Sequence, residues 1–69
     1  MKELAGLIVR FWDIVEVYDA KLRDSEEVGE MCMCVCSIES QFGYEVGHRG
    51  VKAVYDEVDG YISRLLEMI

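Results

Sequence analysis

The feature that most constrains this chain is the spacing of its apolar residues, which alternates between three and four in three separate segments. The last segment shows it most clearly, with Val51, Val54, Val58, Tyr61, Leu65 and Met68. An α-helix places residues at these intervals on one face, whereas a β-strand would scatter them over both faces. We therefore predict an amphipathic helix over about residues 49–68. Its apolar face is widened by Tyr55, Ile62, Leu66 and Ile69.

The same spacing near the N-terminus predicts a helix over about residues 3–23. Its apolar face consists of Leu4, Ile8, Phe11, Val15, Tyr18 and Leu22, with Leu7 and Ile14 beside them. At about 1.5 Å per residue this helix would be about 30 Å long, which requires an elongated bundle or a second subunit alongside. Trp12 lies at the edge of the face. We interpret it as a residue of the core margin, and partner binding is the alternative.

The middle segment repeats the pattern and predicts a helix over about residues 25–42. Its apolar residues are Val28, Met31, Val35, Ile38 and Phe42. Met33 and Cys36 lie outside this stripe, where a lone helix would expose them, so we expect another surface to cover them. Two residues are candidates for the N-cap: Asp24, with Glu27 as its reciprocal partner, and Ser25.

Residues 31–38 also permit a different structure, because two sets of residues alternate strictly there. One face of a strand would carry Met31, Met33 and Val35, and the other Cys32, Cys34 and Cys36. Such a strand would leave its backbone groups unpaired, since no other segment of the chain alternates convincingly. We favour the helix, with the strand as the alternative.

A cluster of glycines follows the middle helix, in the run GYEVGHRG at residues 43–50. Glycine adopts positive φ angles without steric cost, so we expect a turn that reverses the chain between two helices. Gly43 is the expected terminator of the middle helix. We interpret His48 and Arg49 as solvated loop residues, and anion binding is the alternative.

Charge is concentrated in the middle of the chain. The protein carries 14 acidic and 7 basic residues, and residues 24–47 contain six of the acidic residues but no Lys or Arg. A concentrated charge creates a local field that steers a basic partner, although a solvated helix face is the simpler interpretation. The candidate partner-binding residues are Glu26, Glu27, Glu30, Met33, Cys36 and Trp12.

We expect neither catalysis nor a bound metal or cofactor. Cys32 and Cys36 face the same way on a helix and, with His48, are the best candidate metal ligands. Structural zinc sites draw on two separated ligand pairs, whereas these cysteines form one tight cluster, so we interpret them as packing residues. Asp56 and Glu57 point in different helical directions, which disfavours a shared acid–base role.

The chain of 69 residues is expected to form one small helical domain over residues 1–69. With 52% hydrophobic residues it has more apolar material than a small monomer easily hides, which favours a homodimer. Charged residues interrupt every apolar run, so we expect neither a membrane span nor a signal peptide. Three crowded cysteines cannot build a disulfide framework, and we expect a reducing cytoplasm.

These observations predict an all-α fold of three helices completed by homodimerisation. The favoured function is a small, non-catalytic inhibitor or regulator of the kind encoded by phages and mobile elements, which presents an acidic helix to a basic, nucleic-acid-binding partner. Direct nucleic-acid binding is disfavoured, because the basic residues are dispersed and outnumbered. The first alternative is a structural oligomerisation module, which self-association without a captured partner would favour. The second is a thiol-based metal or redox sensor, which a stoichiometric amount of bound metal would favour.

Overall fold

The computed structural model describes residues 2–69, which form five helices. These are α1 (Lys2–Val17), α2 (Asp19–Leu22), α3 (Glu26–Ser40), α4 (Phe42–Arg49) and α5 (Val51–Met68). The predicted all-α fold is confirmed. The strand considered for residues 31–38 is wrong, since this segment lies in the middle of α3. The predicted count of three helices is also wrong, because the first helix is interrupted and the expected turn is itself helical.

The interruption of the first helix occurs at Tyr18, where the backbone leaves helical geometry with φ −105° and ψ 27°. No Gly or Pro lies near this position, and the apolar spacing continues through it to Leu22. The sequence therefore gives no sign of the break. Tyr18, predicted on the apolar face, is instead exposed, whereas Leu22 in α2 is buried as predicted. The 16 residues of α1 span about 24 Å, shorter than the predicted helix.

Helix α4 replaces the turn predicted at residues 43–50. Phe42 and Val46 lie one turn apart and both pack against the core, so tertiary contacts outweigh the low helix propensity of the glycines. Arg49 donates a hydrogen bond to Glu45 across the next turn, at 3.3 Å. Gly43 therefore lies inside α4 rather than ending α3, and His48 belongs to the last turn of α4. Gly50, between α4 and α5, is the one residue of the described chain with a positive φ, at +90°.

The start of α3 is capped by Ser25, the second of the two predicted candidates. Its hydroxyl oxygen accepts a hydrogen bond from the backbone N–H of Val28 at 3.3 Å, which satisfies one of the free donors of the first turn. Glu26 and Glu27 follow in that turn, where negative charge is favoured by the helix dipole. The helix ends before Gln41, whose backbone is no longer helical.

Two contacts along α1 and α5 show that these helices run in the same direction. Leu4 and Tyr55 line one crevice near the start of both helices, and the rings of Phe11 and Tyr61, further along, have centroids 6.3 Å apart. Helix α3 runs opposite to both, and α4 carries the chain back to the start of α5. The resulting molecule measures 35 × 19 × 15 Å, the elongated shape expected for helices of this length.

The buried side chains form one cluster to which α1, α2, α3 and α5 all contribute. They are Leu4, Leu7, Ile8, Phe11, Leu22, Val28, Met31, Val35, Ile38, Val54, Val58, Ile62 and Leu65. Most belong to the predicted apolar stripes, so the periodicity identified the core-facing sides of the helices. No helix of the described chain has the length and apolar character needed to cross a membrane.

The accessible surface of the folded chain is ordinary for its size. It measures 4581 Å², close to the value of about 4,400 Å² that the surface–mass relation gives for a compact monomer of 7.9 kDa. One chain is therefore about as compact as a typical monomer of its mass. The exposed apolar surface is confined to particular positions, among them Val9 at 58% and Met33 at 74% exposure.

Candidate functional site

An open groove of about 470 Å³ lies between α3 and α5. We call it the α3–α5 groove. Its lining contains four carboxylates and one guanidinium, from Glu27, Glu30, Asp56, Glu57 and Arg64. Its other residues are Met31, Cys34, Gly60 and Tyr61. The α3–α5 groove is therefore acidic, with a largely apolar lining between its charged groups.

Helical spacing explains why these side chains converge. On α3, Glu27, Glu30 and Cys34 are separated by three and four residues and so share one side of the helix. On α5, Glu57, Tyr61 and Arg64 follow the same rule. The antiparallel packing of the two helices brings these sides together along the groove.

One ion pair closes the groove at the start of α3. The guanidinium of Arg64 donates to the Glu27 carboxylate, and a second, longer contact of 3.8 Å reaches Glu67. Both partners of the main pair are about half exposed, so solvent screens the pair and it adds little to stability. Its main consequence is the distribution of charge, because Arg64 neutralises one end of the groove and leaves the other end acidic.

A hydrogen-bond network on the α5 side of the groove centres on Glu57. Tyr61 donates its hydroxyl hydrogen to Glu57 Oε2 at 2.7 Å, and Arg49 of α4 donates to Oε1. Burial alone would raise the pKa of Glu57, but the hydrogen bonds from Tyr61 and Arg49 outweigh it and lower the pKa below 4.5. Burial, followed by the bond to Glu57 and the neighbouring Cys34, raises the pKa of Tyr61. The phenol therefore stays neutral and the carboxylate charged.

The other two groove carboxylates face solvent. Asp56 accepts a hydrogen bond from Lys52 at 3.0 Å, but both side chains are mostly exposed and the contact is weak. Glu30 is exposed, and among the side chains that the structure describes no basic group lies within ion-pair distance of it. These two carboxylates are the groups in the groove best able to receive a cation from outside.

The opposite side of α3 faces α1 and has a different character. Here the Trp12 indole N–H donates to Glu39, and Trp12 packs edge-on against Phe11 with ring centroids 5.1 Å apart. A second depression, of about 390 Å³, is lined by Ala5, Ile8, Val9, Glu39 and Phe42. We define the α1–α3 seam as this side of the molecule, composed of Ala5, Val9, Trp12, Cys32, Cys36 and Phe42.

The three cysteines are divided between these two sides. Cys34 lines the α3–α5 groove. Cys32 and Cys36 lie one turn apart towards the seam, since Cys32, Cys36 and Glu39 follow helical spacing. All three thiols are free. Burial, and to a smaller extent the nearby Cys36, raises the pKa of Cys32, so its thiol is not activated as a nucleophile.

His48 lies on α4, away from the cysteines with which it was considered as a metal ligand. Its ring stacks on Tyr44, with centroids 5.4 Å apart and an interplanar angle of 9°. Within residues 2–69, no group of three or more His, Cys, Asp or Glu side chains is placed to hold a metal ion. The candidate set of Cys32, Cys36 and His48 is therefore not assembled by the fold.

The structure divides the predicted partner-binding residues among three surfaces. Glu27 and Glu30 line the α3–α5 groove. Trp12 and Cys36 lie on the α1–α3 seam. The last two, Glu26 and Met33, are exposed on the outer surface of α3 between these sides. Met33 remains uncovered within one chain, as predicted for a lone helix.

The contribution of α5 to the groove was missed by sequence reasoning. Asp56 and Glu57 are predicted to point apart, yet both line the groove. Arg64 was not identified at all. The available signal was the spacing of Glu57, Tyr61 and Arg64 on one side of α5, but it does not reveal that α3 lies opposite.

Comparison of this chain with protein family models, with curated proteins and with solved structures found no match. The geometry of the groove and of the seam is therefore the basis for assigning a function.

Proposed function

We propose that this protein is a small, non-catalytic interaction module that holds a basic segment of a partner protein in the α3–α5 groove. The observation that carries the proposal is the composition of this groove, in which four carboxylates face a single guanidinium around an apolar lining. The aliphatic stems of Lys or Arg side chains can lie against Met31 and Tyr61 while their charged ends reach Glu30 and Asp56.

The partner that fits this chemistry is a basic, nucleic-acid-binding protein whose charged surface the module occupies. The chain carries a net charge of −7, so its field draws a basic surface towards it and accelerates the encounter. Such a module acts as an inhibitor or regulator, in the manner of small proteins encoded by phages and mobile elements. We place it in a reducing cytoplasm, where its three free thiols persist.

Assembly as a homodimer is part of the proposal. It is supported by exposed apolar side chains such as Val9 and Met33, which a partner surface would remove from water. Light scattering at micromolar concentration should give about twice the chain mass of 7.9 kDa. A mass equal to that of one chain would remove the dimer from the proposal without affecting the groove.

The groove is tested with a labelled helical peptide composed of Ala and Arg, measured by fluorescence anisotropy at low salt. Glu30→Gln together with Asp56→Asn removes two groove carboxylates that the fold does not need. We expect this double variant to bind the peptide about fivefold more weakly, since exposed charge pairs contribute about 0.5 kcal/mol each. Far-UV circular dichroism should show an unchanged helix content.

The matched control removes the same charge elsewhere. Asp13→Asn together with Asp59→Asn alters two exposed carboxylates that do not line the groove. Affinity for the Ala–Arg peptide should change less than twofold in this variant, and a peptide of Ala and Glu should not bind at all. Equal losses in the two double variants would mean that net charge, and not the groove, attracts the peptide, and the proposal would be wrong.

A further inference from the structure

The α3–α5 groove already contains one cationic side chain, which belongs to the chain itself. Arg64 lines the groove on α5, and its Nε–H donates to the Glu27 carboxylate on α3. The two residues are 37 positions apart in the sequence, so this side chain crosses from one wall of the groove to the other. One end of the groove therefore holds a guanidinium on an aliphatic stem against a carboxylate, which is the contact that a basic partner would make.

The contact between Arg64 and Glu27 is of a kind that another cation can replace. The Arg64 side chain is 57% exposed and that of Glu27 43%, so water screens the pair and it joins the two helices only weakly. A second carboxylate, that of Glu67, lies 3.8 Å from Arg64 Nη1 and three residues further along α5. Arg64 therefore has another acceptor, on its own helix, when it leaves Glu27.

The position of Glu27 beside Glu30 indicates which ligand would compete with Arg64. The two carboxylates are three residues apart on α3, so they lie on one side of the helix with Cβ atoms about 5–6 Å apart. Glu30 is exposed and, in the described part of the chain, has no basic group within ion-pair distance. While Arg64 holds Glu27, α3 offers a ligand one of these carboxylates. Once Arg64 turns away, α3 offers two, spaced by about one helical turn.

We propose that Arg64 is an internal competitor for the groove, which masks Glu27 from a partner helix that carries two cationic side chains about one turn apart. One cation of this helix pairs with Glu30, and the other must displace Arg64 from Glu27. The gain from the second contact is offset by the loss of the contact that it replaces, so Arg64 keeps the complex weaker than the two carboxylates would otherwise make it. The inference rests on the proposed function and adds a residue of this chain that limits its affinity.

Removal of the competitor is compared with removal of the same charge elsewhere. Arg64→Gln frees Glu27, whereas Arg10→Gln alters an exposed position of α1 that does not line the groove. The probe is a labelled helical peptide of Ala with two Arg residues four positions apart, measured by fluorescence anisotropy. Its affinity should rise about threefold more in Arg64→Gln than in Arg10→Gln, since one exposed charge pair is gained. A peptide whose Arg residues are two positions apart presents them on different sides and should show no such difference.

Glu27→Gln in both backgrounds identifies the carboxylate that Arg64 masks. Alone, this substitution should change the affinity for the first peptide less than about 1.5-fold, because Arg64 already occupies Glu27. Combined with Arg64→Gln, it should remove the gain of about threefold, so the two substitutions are not additive. Far-UV circular dichroism should show an unchanged helix content in all variants.

NMR spectroscopy of the unsubstituted, ¹⁵N-labelled protein gives an independent measurement. The signal of the Arg64 Nε–H is identified by its absence from Arg64→Gln. Because this group donates to Glu27, its signal should shift as the peptide displaces it. The corresponding signal of Arg10 should stay in place.

Three results would overturn the inference and leave the proposed function intact, if Glu30→Gln with Asp56→Asn still weakens binding. They are equal affinities of Arg64→Gln and Arg10→Gln, an equal effect of Glu27→Gln in both backgrounds, and an Arg64 Nε–H signal that saturating peptide does not move. Peptide binding that the Glu30 and Asp56 substitutions leave unchanged would overturn the proposed function and, with it, the role of Arg64.

Discussion

At the scale of single residues, Glu57 makes the most connections of any carboxylate in the groove. It accepts hydrogen bonds from Tyr61 on its own helix and from Arg49 on α4. Arg49 also contacts Glu45 within α4. Its bond to Glu57 links α4 to α5 next to the groove. The charged form of Glu57 is thus part of what holds α4 in place.

The lowered pKa of Glu57 predicts a dependence of stability on pH. Its folded pKa lies below its unfolded value of about 4.5, so its stabilising contribution is complete above that value and is lost as pH falls through the folded pKa. Urea unfolding should show that Glu57→Gln reduces the loss of stability on acidification. Tyr61→Phe, which removes one of the two hydrogen-bond donors to Glu57, should reduce this loss of stability by a smaller amount. A pH profile identical in all three proteins would show that the network does not favour the charged carboxylate.

The Ser25 cap gives a second prediction for a single residue. Ser25→Ala removes the acceptor for the Val28 N–H and should lower the free energy of unfolding by about 1 kcal/mol. Ser40→Ala is the control, because its hydroxyl only donates to the Cys36 carbonyl oxygen within the last turn of α3. Chemical denaturation compares the two variants. Equal losses would indicate that Ser25 contributes as an ordinary helix residue and not as a cap.

At the scale of elements, α3 has a double role, since its buried stripe joins the core while its flanks form two unlike surfaces. Helix α4 positions those surfaces, because it connects the end of α3 to the start of α5. Its own sequence contains two of the six glycines and has little intrinsic tendency to be helical. Packing of Phe42 and Val46 is what makes this segment a helix.

Substitution of glycines distinguishes a helical α4 from the predicted turn. Gly43→Ala and Gly47→Ala should each raise the free energy of unfolding by about 0.5–1 kcal/mol, since nothing lies within 4 Å of the added methyl group. Gly50→Ala should lower it, because this residue has φ +90°. Thermal and urea unfolding of the three variants provide the measurement. A loss of stability in Gly47→Ala would mean that the segment adopts a turn with positive φ.

At the scale of the whole molecule, the acidic α3–α5 groove and the α1–α3 seam lie on opposite flanks of α3. The division arises because α3 packs across the closely packed pair of α1 and α5. A structural oligomerisation module would not need the groove, whereas an inhibitor of a basic protein would. The loss of peptide binding expected in the groove variants would therefore distinguish these two functions.

Binding of a basic peptide and pairing of two chains should respond to salt in opposite ways. Added salt screens the attraction between the groove and a basic peptide, so affinity for the Ala–Arg peptide should fall as NaCl rises. It also screens the repulsion between two chains of charge −7, so pairing should become tighter. Anisotropy and light scattering over one series of NaCl concentrations test both effects. A common direction of change would contradict the opposite electrostatic effects expected for peptide binding and for pairing.

Local spacing was sufficient to predict the all-α fold, the three major amphipathic segments and most of the core. Val54, Val58 and Leu65 are buried because residues three and four apart share a side of any helix, whatever surrounds it. Ser25 was recognisable as one of two candidate caps for the same reason, because its bond to Val28 closes within one turn. The concentration of carboxylates on α3 was also visible in the sequence.

Only the tertiary structure decided which side of α3 faces which neighbour. The contact between Glu27 and Arg64 joins residues 37 positions apart, and that between Trp12 and Glu39 joins residues 27 positions apart. Such contacts depend on the order and direction in which the helices pack, which local periodicity does not encode. The division of α3 into an acidic groove and an apolar seam, the helical state of α4 and the share of α5 in the groove all follow from that packing.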